Sequence, residues 1–582
     1  MITNDKYSWD LSHMYPNIDQ WKRDFNEVNG LLDKLLVYKD QVTSSAQNLY
    51  TTLKLRDELS LKLTSLYVYA KMYFDEDMKN PEAKDLYERV DALYTKISNS
   101  IAFLEPELIT MEESTFNNFK NEVADLNIYN HMFEKLFKQK EHILSTEMEE
   151  TLTQMSSLGS SFEKVYDDLT VNDADFPYVE DSKGEKIKAT NANYSKALIS
   201  QDRTLRKNFF KGLLGVYQNF INSITSTYYG SVKHDVYVAK LRKYKSSRDM
   251  ALDLNFIPSA VYDNLINTVK ENSHVLQEYI AFRKEILDLE TIHFYDLFVP
   301  LVKDIDKNYT YEEAQELVLE ATKVLGEDYT SVLKEAFNNR WIDVYPGDNK
   351  VSGAYATGAY GHHPYSLLNF TGTLNDVFTI AHELGHVMHT YYSNKYQPFI
   401  DSDYTIFTAE VASTVNEQLL LRYLLNKTTD QNEKALLLST HLDNIRSTLF
   451  RQTLFADFEY QAHKLVEEEN PLTPNVLCDI HKELYRIYHG DVFTIDPELK
   501  YEWARIPHFY RSFYVFQYST GISAAISLTK KILNEGEPAV KRYREFLTKG
   551  GSDYSINLLK LAGVDMTSPQ PILDAIDSFK ET

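Results

Sequence analysis

Apolar residues recur at helical spacing along most of this 582-residue chain, and only 19 glycines and 16 prolines interrupt it. Those two residues are the commonest helix breakers, so their scarcity, with few strand signals, predicts a mostly α fold. Residues 51–105 read as long amphipathic helices, with LYVYAKMYF as a typical apolar portion, and a second helical block covers about 131–168. The length exceeds the size at which one hydrophobic core stops growing, so two or more lobes are expected.

Two segments break the helical pattern. FPYVEDSKGEKIKAT (176–190) has short alternating runs around Ser182-Lys183-Gly184 and predicts a β-hairpin. A boundary near it gives an N-terminal helical lobe over 1–190 and a larger C-terminal domain over 191–582. The second break, WIDVYPGDNKVSGAYATGAYGHHPYSLLNFTG (341–372), sets Gly347, Gly353, Gly358 and Gly361 among β-branched and aromatic residues. Short strands and loops are expected there, directly before another helix.

Composition excludes several classes. The net charge of -24 lacks the basic footprint that nucleic acid or an anionic membrane requires. Cys478 is the single cysteine, so neither an intrachain disulfide nor a cysteine-based zinc site can form; it reads as a small buried apolar residue. The opening MITNDKYSWDLSHMYPN lacks the pattern of a secretory signal, and no apolar run approaches the ~20 residues of a membrane helix. A cytoplasmic protein is expected.

The chemistry concentrates in FTIAHELGHVMH, residues 378–389. Val377, Ile380, Ala381, Leu384, Val387, Met388 and Tyr391 form one apolar stripe at about 100° per residue, and His382, His386 and His389 cluster on the other side. No Lys, Arg or Asp occurs from 377 to 391, and Gly385 sits mid-helix at a cost of ~1 kcal/mol relative to Ala. Such a face is expected to be covered. HELGH matches the zinc pattern H-E-x-x-H, in which histidines at i and i+4 reach one ion and the glutamate takes a proton from the attacking water. His389 lies about 10 Å along the axis from His382, so it is expected not to bind the same ion but to pack or to support a ligand from behind.

A catalytic zinc site has three protein ligands and an open position. The next helix, YTIFTAEVASTVNEQLLLRYLL (404–425), is apolar nearly all round yet carries Glu410 and Glu417 on one side. Buried carboxylates need partners or a metal, and because these two are also about 10 Å apart, only one can complete the set. Asp401 and Asp403 sit in the connecting loop, their natural exposed home. His362-His363 reads as a loop turn.

AHELGHVMH followed by TAEVASTVNE resembles the thimet oligopeptidase-like zinc peptidases, in their oligoendopeptidase F branch. YSWDLSHMYP, WIDVYPGDNKVSGAY and WARIPHFYRSFYVFQYSTGI extend the resemblance over nearly the whole chain. The resemblance implies two helical lobes enclosing a deep channel, one Zn²⁺ per chain, short peptide substrates and a role in peptide clearance. It implies Glu410 as third ligand, leaving Glu417 to orient a ligand.

In PHFYRSFYVFQYSTG (507–521), Phe509, Phe513 and Phe516 read as a core stripe, with Tyr510, Tyr514 and Tyr518 on an adjacent helical face. The resemblance implies that His508, Tyr514 and Tyr518 serve catalysis, one of them as a donor to the oxyanion, and Tyr510 shares the tyrosines' face. Gly353-Ala354-Tyr355 is expected to pair with substrate as a short edge strand. The resulting expectation is a zinc endopeptidase acting on short oligopeptides, with Glu383 as general base. The alternatives are a helical zinc carboxypeptidase and a catalytically silent helical peptide-binding protein.

Overall fold

Asn17, Ser45 and Asn80 each accept a backbone N–H from the turn that follows, and from these caps run α1 (Ile18–Leu36), α2 (Ala46–Glu76) and α3 (Pro81–Ile101). They belong to a computed structural model that describes residues 5–302 and 307–582 and is mostly α-helical. In α1 the apolar positions Trp21, Val28, Leu31, Leu32 and Leu35 are buried, which is the stripe a 3.6-residue repeat dictates. That face joins Leu49, Leu53, Leu63 and Leu66 of α2 and Leu86 and Val90 of α3 in one core cluster.

Cα packing divides the chain into two units, each assembled from three stretches. Met1–Glu141, Lys307–Tyr423 and Lys531–Gly563 make the first; His142–Asp306, Leu424–Lys530 and Val564–Thr582 make the second. The expected hairpin forms, with β1 (Tyr178–Glu180) antiparallel to β2 (Lys186–Lys188) and Gly184 at a φ of 83° in the turn. It marks no boundary in this division, because residues on both sides of position 190 pack within the second unit. A local break in helical pattern reports chain direction, not which distant segments bury each other. α4 (Ile221–Leu241) also belongs to that unit.

The second break folds in the first unit as β3 (Ile342–Asp343), β4 (Tyr355–Thr357) and β5 (Tyr365–Leu367). β5 is central, parallel to β3 and antiparallel to β4, with Ala356 opposite Ser366. β4 therefore lies at a sheet edge. α5 (Leu374–Tyr396) and α6 (Ile406–Lys427) follow. The second unit contributes α7 (Arg451–Glu467), whose Phe455, Phe458 and Ala462 are buried, and the start of α8 (Phe516–Glu535). No helix among the described residues is long and apolar enough to cross a membrane.

Candidate metal centre

Thr373 and Asp376 start α5 with a reciprocal capping box, each side chain accepting the other's backbone N–H. The expected stripe is buried, including Val377, Ile380, Ala381, Leu384, Val387 and Met388. What covers the other side is α6. A Cβ on Gly385 would meet the backbone of Ala412 and Ser413, with a carbonyl oxygen at 2.6 Å and an amide nitrogen at 2.7 Å. Glycine is therefore needed because the two helices touch backbone to backbone. Asn416, fully buried on α6, donates to the carbonyl of Ala381 at 3.1 Å and accepts from the Tyr329 hydroxyl at 3.0 Å. This clamp was missed in the sequence, where a polar residue on an almost wholly apolar helix was its one signal.

The contact brings a carboxylate to the two histidines. Nε2 of His382 and Nε2 of His386 stand 3.3 Å and 3.6 Å from the same Glu410 oxygen. A tetrahedral ion with ligand bonds of about 2.0–2.1 Å sets its ligand atoms about 3.3–3.4 Å apart, so the donors fit one small ion. Among the described residues this is the one group of three His, Cys, Asp or Glu side chains spaced to hold a metal. Glu417 bonds instead to Nδ1 of His382, the nitrogen facing away from Glu410. Glu410 and Glu417 are thus not equivalent. Nor is Glu410 deeply buried, as the apolar helix suggested; its side chain is 42% exposed, because one strip of α6 stays open at the site.

The electrostatics favour a cation. Burial acts to lower the His382 pKa, but hydrogen bonds to Glu410 and Glu417 overcome it and hold the value near about 10. Those histidines hold the Glu410 carboxyl well below the usual carboxylate range. Glu383 is 7% exposed, and burial pushes its carboxyl upward. His389 is buried and stacks on Tyr404 at 3.7 Å, away from the donor set, as its axial offset requires. His363 stacks on Trp341 at 4.4 Å and bonds His13 at 2.9 Å, so His363 is held in the fold. Cys478 is buried.

The edge segment is anchored from behind. Tyr355 donates its hydroxyl to Asp75 on α2 at 2.8 Å, and Asn369 donates to the Gly353 carbonyl at 2.7 Å. The Tyr355 side chain is thus committed to the scaffold, which leaves the strand's main chain for any pairing. Gly353 takes a φ of 86°, a turn that favours glycine. A cavity of about 210 Å³ lies between Gly353-Ala354 and the first turns of α5, with Phe370, Thr379 and Ile380 in its wall. Thr379 is three residues before His382, one helical turn away.

Within the second unit, residues 507–518 do not form the continuous helix that their spacing suggested. A 3-10 turn covers Pro507–Tyr510, Phe513 adopts a φ of 58°, and α8 starts only at Phe516. A non-glycine residue in that region costs on the order of 1–2 kcal/mol. The reversal groups His508, Tyr514 and Tyr518, with the two tyrosine rings 5.5 Å apart and each 6.1–6.2 Å from the histidine. Tyr510, expected on the same face, is separated from them. It bonds Thr227 of α4 at 2.7 Å and packs on Tyr166 at 4.8 Å.

A helix bearing H-E-x-x-H, faced by a glutamate on a second helix within a mostly α fold, defines a metallopeptidase. Residues 197–578 match the model of peptidase family M3, and residues 107–176 match that of oligopeptidase F. The chain belongs to peptidase family M3, and the enzyme is a metallo-endopeptidase. It is 42% identical to oligopeptidase PepF of Bacillus subtilis, over 99% of this chain and 86% of that one. It is 36% identical to group B oligopeptidase PepB of Streptococcus agalactiae, over 99% and 96% of the two chains. The crystal structure of oligoendopeptidase-F from Enterococcus faecium superposes with a TM-score of 0.75 at 33% identity, covering 97% of each chain.

Proposed function

We propose that the enzyme is a zinc-dependent endopeptidase cutting internal bonds of short oligopeptides, with one Zn²⁺ per chain held by His382, His386 and Glu410. The observation that carries this reading is the pair of Nε2 atoms facing one Glu410 oxygen, with Glu417 behind His382. When bound, zinc polarises the scissile carbonyl and acidifies the attacking water.

The chain's own groups do the rest. Glu417 accepts from Nδ1–H of His382 and so fixes the tautomer that turns the Nε2 lone pair toward the site. Glu383 takes a proton from the water as it attacks and delivers it to the leaving amine. Its burial suits both tasks, because a carboxyl with a raised pKa is a stronger base and still releases the proton. One of His508, Tyr514 and Tyr518 donates a hydrogen bond to the oxyanion. The edge at Gly353-Ala354-Tyr355 pairs with the substrate main chain, and the cavity beside it receives a substrate side chain. The proposed setting is cytoplasmic peptide clearance.

Cleavage of an internally quenched peptide blocked at both ends tests the endopeptidase assignment; failure to cut it favours a carboxypeptidase. Glu383→Gln should retain stoichiometric zinc while losing turnover, and an active Glu383→Gln enzyme would refute the general-base role. Full activity in Tyr514→Phe, Tyr518→Phe and His508→Ala together would remove those residues from the mechanism.

A further inference from the structure

The reversal that groups His508, Tyr514 and Tyr518 depends on a residue whose conformation is unfavourable by itself. Phe513 is 3% exposed, carries a side chain, and has a φ of 58°. Its backbone N–H is buried and donates to Oε1 of Glu459 at 2.7 Å. Glu459 lies on α7, 54 residues earlier in the chain, and is fully buried. Among the described residues its second oxygen, Oε2, has no hydrogen-bond partner. A buried acidic side chain with one oxygen unsatisfied is an expensive feature.

The neighbouring residue is held as well. Ser512 donates its hydroxyl to Asp235 of α4, and Asp235 also meets Nδ1 of His234 at 3.3 Å and stands 3.6 Å from Nε2 of His463. The His463 ring packs on Phe513 at 4.5 Å, and its Nδ1 bonds the Glu459 main-chain carbonyl at 2.9 Å. Two carboxyl groups on two helices thus grip two consecutive residues of the reversal. Both lie on the Ser512-Phe513 side, immediately before Tyr514.

We infer that Glu459 is a positioning residue for catalysis: by accepting the Phe513 N–H it locks the left-handed turn that sets Tyr514 and Tyr518 against His508, with Asp235 holding Ser512 as a second anchor. The inference rests on the reading that one of those three residues is the oxyanion donor. Burial pushes the Glu459 carboxyl well above its ordinary pKa, and glutamine, with a carbonyl oxygen at the same reach, keeps the acceptor for the Phe513 N–H. The function needed from it is an acceptor at Oε1, not a charge.

The test compares Glu459→Leu with Glu459→Gln in the zinc-loaded full-length enzyme. A misplacement of about 1 Å can cost roughly 100-fold in rate, so Glu459→Leu should lower kcat by about that factor while KM and zinc content stay near wild type. Glu459→Gln should restore most of the rate. Combining Glu459→Leu with the paired Tyr514→Phe and Tyr518→Phe changes should cost no more than the worse of the two, because both act through the same hydroxyls; independent structural damage would multiply instead. Unchanged kcat in Glu459→Leu, equal loss in Glu459→Gln, or multiplying effects would each overturn the inference. If Glu459→Leu does not fold, Ser512→Ala decides. A kcat loss that does not multiply with the paired Tyr514→Phe and Tyr518→Phe changes supports the anchor, and full activity overturns it. Full activity in Tyr514→Phe and Tyr518→Phe would instead bring down the assignment of the donors.

Discussion

Replacing Gly385 by alanine adds one methyl group where α5 and α6 touch. The new Cβ would lie 2.6 Å from a carbonyl oxygen of α6 and 2.7 Å from an amide nitrogen, whereas ordinary contact begins at 3.4 Å. Neither atom belongs to a movable side chain, and the Ser413 Cα is nearer still, so α6 must retreat by roughly 1 Å. Overpacking of this kind costs about 1–3 kcal/mol, and the helix preference of alanine over glycine returns up to about 1 kcal/mol. The larger consequence falls on Glu410, two residues before Ala412 on the displaced helix. Metal–ligand distances tolerate only about 0.2 Å, so zinc affinity should fall by about 10–100-fold. Competition against a chromophoric chelator measures this, with thermal melts of the apo and zinc forms alongside. Gly30→Ala on α1 is the control, since a Cβ there meets nothing within 4 Å and should be neutral or stabilising. Wild-type zinc affinity in Gly385→Ala would refute the claim that backbone contact between the helices sets the donor geometry.

Glu417→Ala should keep one zinc per chain but weaken it by about 10–100-fold in chelator competition, whereas Glu410→Ala should lose stoichiometric zinc; the reverse order would exchange their roles. Thr379→Leu should fill part of the 210 Å³ cavity and shift cleavage toward smaller substrate side chains, read by cleavage-site mapping on a peptide mixture; an unchanged cleavage profile would exclude the cavity as a subsite. Burial, then the nearby Asp343 charge, pushes the Glu76 carboxyl up to about 7. A folded-state pKa raised above the unfolded value gives stability that is complete below about pH 4.5 and lost as pH rises through about 7. Glu76→Gln stays neutral throughout, so its Tm relative to wild type should climb between pH 4.5 and 8. A pH-independent difference would count against this burial effect.

Much of the metal helix was legible because its geometry is local. His382 and His386 are four residues apart on one turn-and-a-bit of helix, and the same 1.5 Å rise that joins them excludes His389. Gly385, together with the missing Lys, Arg and Asp, signalled a covered face, and α6 is what covers it. The glycine-rich break before α5 likewise signalled the short strands that form there. The late aromatic segment was misread because helical spacing was assumed where the chain reverses. Nothing within PHFYRSFYVFQYSTG announces that Phe513 turns left-handed; the stabilising acceptor is Glu459, on another helix.

The sequence by itself determined a helical protein, a two-histidine motif with its glutamate, and two candidate carboxylates, since each follows from residues within a few turns of one another. Tertiary structure decided which carboxylate meets Nε2 and which meets Nδ1, and which tyrosines gather around His508. Those outcomes depend on how closely two helix backbones approach and on a hydrogen bond between a helix and a distant reversal of the chain. Contacts of that kind are fixed by packing, and periodicity along the chain carries no record of them.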